Sequence, residues 1–248
     1  MKPYYEHAGV AIYHGDCREI LPALGVTADA VIADPPYGQT SLDWDRWPEG
    51  WLGAQGLGRS LWCFGSLRLF MGKRQEFDDA GWTLAQDVVW EKHNGSSFHR
   101  DRFRRVHEQA AHFYRGSWAD VYKAVPVTHD ETARAVRRKQ RPAHMGRIEE
   151  SAYVSHDGGP RLMRSVIYVR SMHGMAANET QKPEGIVAPL IENACPRGGL
   201  VVAPFMGSGT DLVTARLMGR RAIGIDVRES QCEAAAERLR AGLPLEVA

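Results

Sequence analysis

Cysteine is scarce and scattered in this sequence. Cys17, Cys63, Cys195 and Cys232 stand far apart, form no Cys-x-x-Cys pair and lie in or near apolar patterns, which argues against a zinc cluster or a disulfide framework and for buried, reduced thiols. The ten histidines show no ligand spacing, so no metal is expected. Long hydrophobic runs are missing as well: no stretch approaches the ~18 apolar residues of a spanning helix, and Met1 to His7 lacks the apolar core of a signal peptide. These absences predict a cytoplasmic protein with no membrane association. Net charge of one sign is nearly absent, at +1. What remains is ordinary globular composition, 44% hydrophobic and 25% charged over 248 residues, enough for one large domain with a substantial core.

The small net charge hides local clusters. Arg134, Arg137, Arg138, Lys139, Arg141 and Arg147 fall in a stretch with no acid, and Arg100, Arg102, Arg104 and Arg105 are opposed only by Asp101. A solvated face is the plain reading of either cluster. Beside a base-binding element, contact with nucleic-acid phosphates becomes the better one.

In chain order, strand signals alternate with helical periodicity. Gly9 to Gly15 reads as a strand, Cys17 to Leu24 as a short helix, and Ala28 to Ala33 as a buried strand. Ser60 to Phe64 is a strand, Leu67 to Phe77 an amphipathic helix, and Trp82 to Trp90 and Val106 to Tyr114 two further strands. From Gly116 to about Arg164 the pattern breaks down, with at most one helix near Glu131 to Lys139. Ser165 to Arg170 and Leu200 to Ala203 resume strand character, the helix Asp211 to Met218 follows, and the strand Arg221 to Ile225 leads to a closing helix from Glu229 to Arg240. This alternation predicts an α/β fold with a doubly wound, mostly parallel sheet. The predicted organisation is one domain over 1–248, a catalytic half at 1–115 and a cofactor half at 165–248, interrupted by a basic recognition insertion at 116–164.

Two turns carry the chemistry. Asp34-Pro35-Pro36-Tyr37 follows a buried strand, at the carboxyl end where open α/β sheets place their ligands. Two prolines fix φ near −65° and donate no hydrogen bond. The turn therefore holds one carboxylate, free carbonyls and one aromatic face in a fixed relation, suited to a flat group bearing an amine. Taken alone, it reads equally well as an ordinary strand-ending turn. The second turn, Pro204-Phe205-Met206-Gly207-Ser208-Gly209-Thr210, joins a strand to a helix, and Asp226 ends the next strand. Glycines there admit close approach of a ligand to the backbone and to helix N-terminal amides, and a carboxylate at the position of Asp226 can hold ribose hydroxyls. No lysine follows the glycines and no third glycine completes a dinucleotide fingerprint. A cofactor with a ribose and no phosphate fits, and S-adenosylmethionine is the common one. Asp16, at another strand end, either caps the helix behind it or touches that ligand.

Together these residues bring a family into view. Asp34 to Tyr37, then Gln181-Lys182-Pro183, then Pro204 to Thr210, Gly219-Arg220 and Gly224-Ile225-Asp226 resemble the DNA amino-methyltransferase family in its permuted, β-type order, most like its adenine-N6 enzymes. The resemblance covers the chain outside Gly116 to Arg164 and includes the strand around Trp90-Glu91-Lys92 and the run Arg105 to Glu108. It implies a Rossmann-like class I methyltransferase acting on double-stranded DNA, with a homodimer and a restriction partner both compatible with it. By that resemblance Asp34 and the Pro35 carbonyl accept hydrogen bonds from the target amine, Pro36 stiffens the turn, and Tyr37 stacks on the base after it is flipped from the duplex. Phe205 packs near adenine, while Gly207, Ser208 and Gly209, with Pro204, Met206 and Thr210 around them, pass the methionine part. Asp226 with Val227 binds the ribose, Asp16 with Cys17 the adenine end, and Thr180, Gln181 and Lys182 the methionine carboxylate region. Arg100, Arg102, Arg104, Arg105, Arg137, Arg138, Lys139 and Arg141 are the expected DNA-binding residues.

The sequence departs from the family's pattern at Ala203, usually an acid, and at Asn178 and Glu179, often histidine and proline. Weaker cofactor binding is the expected consequence. Three readings compete with adenine methylation: cytosine-N4 methylation by the same chemistry, methylation of RNA or of a protein glutamine amide, and an idle DNA-binding subunit. The intact Asp34 to Tyr37 turn speaks against the last.

Overall fold

The computed structural model describes residues 1–95, 100–138, 151–171 and 181–242. In chain order the elements are β1 (Tyr5–His7), β2 (Val10–His14), α1 (Cys17–Leu24), β3 (Ala30–Ala33), β4 (Ser60–Gly65), α2 (Leu67–Asp79), β5 (Thr83–Glu91) and β6 (His107–Tyr114). Then come β7 (Val127–Thr128), β8 (Arg134–Arg138), β9 (Ser151–Ser155), β10 (Arg161–Leu162), β11 (Val166–Tyr168), α3 (Glu184–Ala194), β12 (Leu200–Ala203), α4 (Thr210–Leu217), β13 (Arg221–Asp226) and α5 (Glu229–Ala241). The chain divides into two compact units, one comprising 1–124 with 165–248 and the other 125–164.

The first unit is built on a nine-stranded sheet of order β1-β2-β13-β12-β3-β4-β6-β5-β11. The neighbours from β2 through β4 pair in parallel, as do β5 and β11, while β1 and β6 run against their neighbours. This is the doubly wound, Rossmann-like sheet that the strand and helix alternation predicts. Side chains alternate across it as the two-residue strand period requires. Ala30 and Ile32 join a core built with α3, α4 and α5, whereas Val31 and Ala33 join one built with α1, α2 and Trp51. β3, β12 and β4 are buried along their whole length, as expected for strands covered on both faces. The four cysteines are free and buried, and among the described residues no helix is long and apolar enough to cross a membrane.

The second unit contains two antiparallel pairs, β7 with β10 and β8 with β9. The sequence offers at most one helix here, near Glu131 to Lys139, and over Arg134–Arg138 the structure has β8 instead. A helix there would set Arg134 beside Arg137 and Arg138 at the i+3 and i+4 positions, where like charges repel. In the structure Glu131 pairs with Arg134 at 3.0 Å.

Candidate active site

The sheet order places β3 next to β12, while the chain leaves β3 towards β4 and leaves β12 through α4 towards β13. Adjacent strands whose connections diverge open a crevice at their carboxyl ends. The turn Asp34 to Tyr37 leaves β3 at that edge and the turn Pro204 to Gly209 leaves β12 there, so the two sequence motifs are brought together by topology alone.

Asp34 is half-buried and its carboxylate already has two donors. Tyr37 Oη donates to Oδ1 at 2.9 Å, and Lys182 Nζ donates to Oδ2 at 2.6 Å. Lys182 also lies 3.4 Å from Glu108 Oε2, and Glu108 pairs in turn with Lys92. Burial would lower the Lys182 ammonium, but the carboxylates of Asp34 and Glu108 outweigh it and hold its pKa above the usual lysine range. Burial would raise Glu108, yet Lys182 and Lys92 dominate and pull it down to about 2. Burial, reinforced by the negative charges of Asp34 and Glu108, pushes the Tyr37 phenol well up, so it acts as a donor. Two lysines and two carboxylates thus form one compact set under the proline turn. The sequence pattern assigns Lys182 to the methionine carboxylate region; the structure places its ammonium on Asp34 and Glu108. Glu108 and Lys92 carried no assigned role in the sequence, and their joining to Asp34 follows from β6 lying beside β4 and β5 beside β6.

The loop after the turn is tied down by Asp45. Its buried carboxylate accepts from the backbone amides of Gly38 at 2.8 Å, Gln39 at 2.9 Å and Thr40 at 2.7 Å. Burial would raise Asp45, but the Thr40 side chain together with these amide bonds outweighs it and lowers its pKa. The same loop places Trp44 against the Arg228 guanidinium, 4.9 Å from the ring centroid.

On the cofactor side, Gly209 caps α4 at φ +77°, and a Cβ there would meet Ala235 Cβ at 2.8 Å. Glycine is therefore required for both conformation and space. Arg238 Nη1 holds the turn from α5, donating to Ser208 O at 2.7 Å and Thr210 Oγ1 at 3.1 Å. Ser208 Oγ donates to Gln181 Oε1 at 3.3 Å, joining the turn to the segment that carries Lys182. Asp226 is buried at the end of β13 and accepts from the amides of Gly207 at 3.1 Å and Arg228 at 2.9 Å. Phe205 stands edge-on to Trp51, with centroids 5.0 Å apart. Pro204, Met206, Ser208 and Thr210 are buried, and Val227 is exposed. Asp16 is the N-cap of α1: it accepts from Arg18 N at 2.8 Å and pairs with the Arg18 side chain, which lowers its pKa. Cys17 is buried behind it.

These residues fit S-adenosylmethionine. The turn is glycine-lined with no lysine to meet a phosphate, and a buried carboxylate ends the following strand with acceptor capacity left beyond its two amide bonds and the Arg228 Nε bond at 3.3 Å. Phe205 and Trp51 give an aromatic wall. Asp226 would hold the ribose, Phe205 the adenine, and the Gly207 to Gly209 backbone the methionine part.

Of the expected DNA-binding residues, Arg100, Arg102 and Arg104 are exposed and Arg105 is half-buried. Arg102 pairs with Asp101 at 2.7 Å. Phe103, between them, is fully exposed, a feature that charge counting misses. Arg137 and Arg138 lie in the backbone of β8. Thr180, Lys139, Arg141, Arg147, Asn178 and Glu179 lie outside the described residues.

A family model described as DNA methylase, of the N6/N4 methyltransferases, matches residues 28–237. The type II methyltransferase M.ScaI of Streptomyces caespitosus is 26% identical across 97% of this chain and 84% of its own length. Among solved structures, the M1.HpyAVI–SAM complex aligns with a TM-score of 0.64 at 20% identity, covering 93% of this chain and 99% of that one. The cytosine-N4-specific PvuII DNA methyltransferase aligns with a TM-score of 0.67 at 15% identity, covering 100% and 91%. At these identities the structural likenesses carry the fold.

Proposed function

The chain belongs to the N6/N4 DNA methylase family of S-adenosylmethionine-dependent DNA methyltransferases, and we propose that its target is the exocyclic N6 of adenine. The observation that carries adenine is Asp34 itself, an acid in front of Pro35-Pro36 where a serine would lean towards cytosine N4.

Exocyclic ring amines are weak nucleophiles because their lone pair is delocalised into the ring. When bound, S-adenosylmethionine supplies an electrophilic methyl on a sulfonium. The protein's task is to localise the amine's lone pair and aim it. A carboxylate offers about four acceptor directions, and Tyr37 and Lys182 occupy two at Asp34. The remainder can receive an amine hydrogen, with the Pro35 carbonyl as the second acceptor. Two acceptors on a rigid turn favour the pyramidal amine of the transition state over the flat one of the ground state, which is where binding energy raises rate. On accepting the methyl the amine must lose a proton, which the Asp34 hydrogen-bond set or water would receive. The ring of Tyr37 stacks on the flipped base, offsetting part of the few kcal/mol that unstacking costs.

Arg100, Arg102, Arg104 and Arg105 contact DNA phosphates, with exposed Phe103 among them as an apolar surface for the distorted duplex. Residues 125–164, with the arginines of β8, form the target-recognition unit, and the enzyme acts within restriction and modification. Sequencing that reports modified bases in host DNA, with and without this gene, tests the reading. It predicts N6-methyladenine at one short motif, lost on deletion and on Asp34→Ala; N4-methylcytosine at that motif would overturn the adenine assignment.

A further inference from the structure

Asp211 is a buried carboxylate, 6% exposed, in the first turn of α4 directly behind the glycine turn. Among the described residues no side chain or amide donates a hydrogen bond to it. The charges it feels are those of Asp34, which repels it, and of Lys182 and Arg238, which attract it. Both cations are committed elsewhere. Lys182 sits on Asp34 at 2.6 Å and on Glu108 at 3.4 Å; Arg238 holds Ser208 and Thr210 and lies 3.7 Å from Glu184. Burial and the neighbouring Asp34 push its pKa up to about 7. A buried carboxylate with no hydrogen-bond donor and with only shared cations nearby is costly to ionise, so the fold carries a penalty here that a proton or an arriving cation would relieve.

The carboxyl end of β12 could have supplied such an anion, but Ala203 there is fully buried and has no polar side chain. We infer that Asp211 takes up that duty: it is the counter-ion for the α-ammonium of the methionine part of S-adenosylmethionine, reached across the Gly207 to Gly209 turn. The ammonium is the cation on the expected ligand that belongs beside this turn, and it would give Asp211 a cationic partner of its own. The inference rests on S-adenosylmethionine binding at this turn.

Calorimetric titration of the full chain with two adenosine ligands tests it. S-adenosylhomocysteine carries the ammonium; 5′-methylthioadenosine lacks the whole amino-acid part. Asp211→Asn is expected to weaken S-adenosylhomocysteine on the order of 10- to 100-fold and leave methylthioadenosine unchanged, while raising the unfolding temperature of the ligand-free protein at pH 8. Asp211→Glu, which keeps the charge, is expected to retain part of the preference. Unchanged S-adenosylhomocysteine binding would overturn the assignment. So would equal weakening of both ligands together with a lowered unfolding temperature, which would mark Asp211 as structural. Should Asp211→Asn fail to fold, Asp211→Ser is read by the same criteria. Failure of the wild-type chain to bind either ligand would defeat the cofactor assignment itself and Asp211's role with it.

Discussion

Asp34 holds two donors before any base arrives, Tyr37 on one oxygen and Lys182 on the other, and this sets what single substitutions should do. Asp34→Asn is expected to lower the methyl-transfer rate roughly 10²- to 10³-fold, the scale for losing one preorganised transition-state partner, with S-adenosylhomocysteine affinity retained; a loss confined to affinity would place Asp34 in binding alone. Glu108 gives a pH signature. Its folded pKa of about 2 lies below the ordinary 4.5, so its contribution to stability is present above pH 4.5 and is lost as pH falls towards 2. Glu108→Gln should abolish that loss and, by stranding Lys92 and leaving Lys182 with Asp34 alone, destabilise the protein by about 3–5 kcal/mol at neutral pH. Denaturant unfolding between pH 2 and 7 reads both effects. Asp34, Tyr37 and Asp226 stand out in the sequence because they lie in or next to short local motifs. Lys182 stands out too, but its pairing with Asp34 and Glu108 does not, since Lys182 and Asp34 are 148 positions apart and only the fold makes them partners.

At the scale of elements, rigidity comes from carboxylates that satisfy backbone amides. Asp45 collects three amides of the loop behind the proline turn and thereby fixes Gly38 and the approach to Tyr37. Asp45→Ala should cost about 1–3 kcal/mol, the penalty for unsatisfied buried donors. It should also raise KM for duplex DNA more than it lowers S-adenosylhomocysteine affinity. Equal changes in both would mean that the loop serves the fold as a whole. The sequence shows this stretch only as a long polar loop, because nothing in its composition says which acid turns inward. The opposite error concerns β8: a helix near Glu131 to Lys139 is the one the sequence offers, but antiparallel pairing with β9 along Arg134 to Arg138 supplies interstrand backbone bonds in place of a short, self-repelling helix. The buried strands β3, β4 and β12 were legible to within a few residues because burial on both faces leaves continuous apolar runs, whereas the short edge strand β1 and the helix α3 were not.

At the scale of the whole molecule, a near-neutral chain approaches a polyanion through local charge. Replacing Arg100, Arg102, Arg104 and Arg105 by glutamate should weaken DNA binding and reduce the slope of log affinity against log salt by roughly 0.9 for each phosphate no longer neutralised; an unchanged slope would identify the cluster as a solvated face. The sheet brings together the Asp34 turn, proposed to receive an amine, and the Pro204 to Thr210 turn, proposed to hold a nucleoside, and family membership supplies the group transferred between them. The most direct measurement is to incubate purified protein with labelled S-adenosylmethionine and duplex DNA, digest the product to nucleosides and identify the labelled one by mass spectrometry. Label in N6-methyladenine, abolished by Asp34→Ala, is the predicted result. Label in N4-methylcytosine alone, or labelling that survives Asp34→Ala, would contradict it.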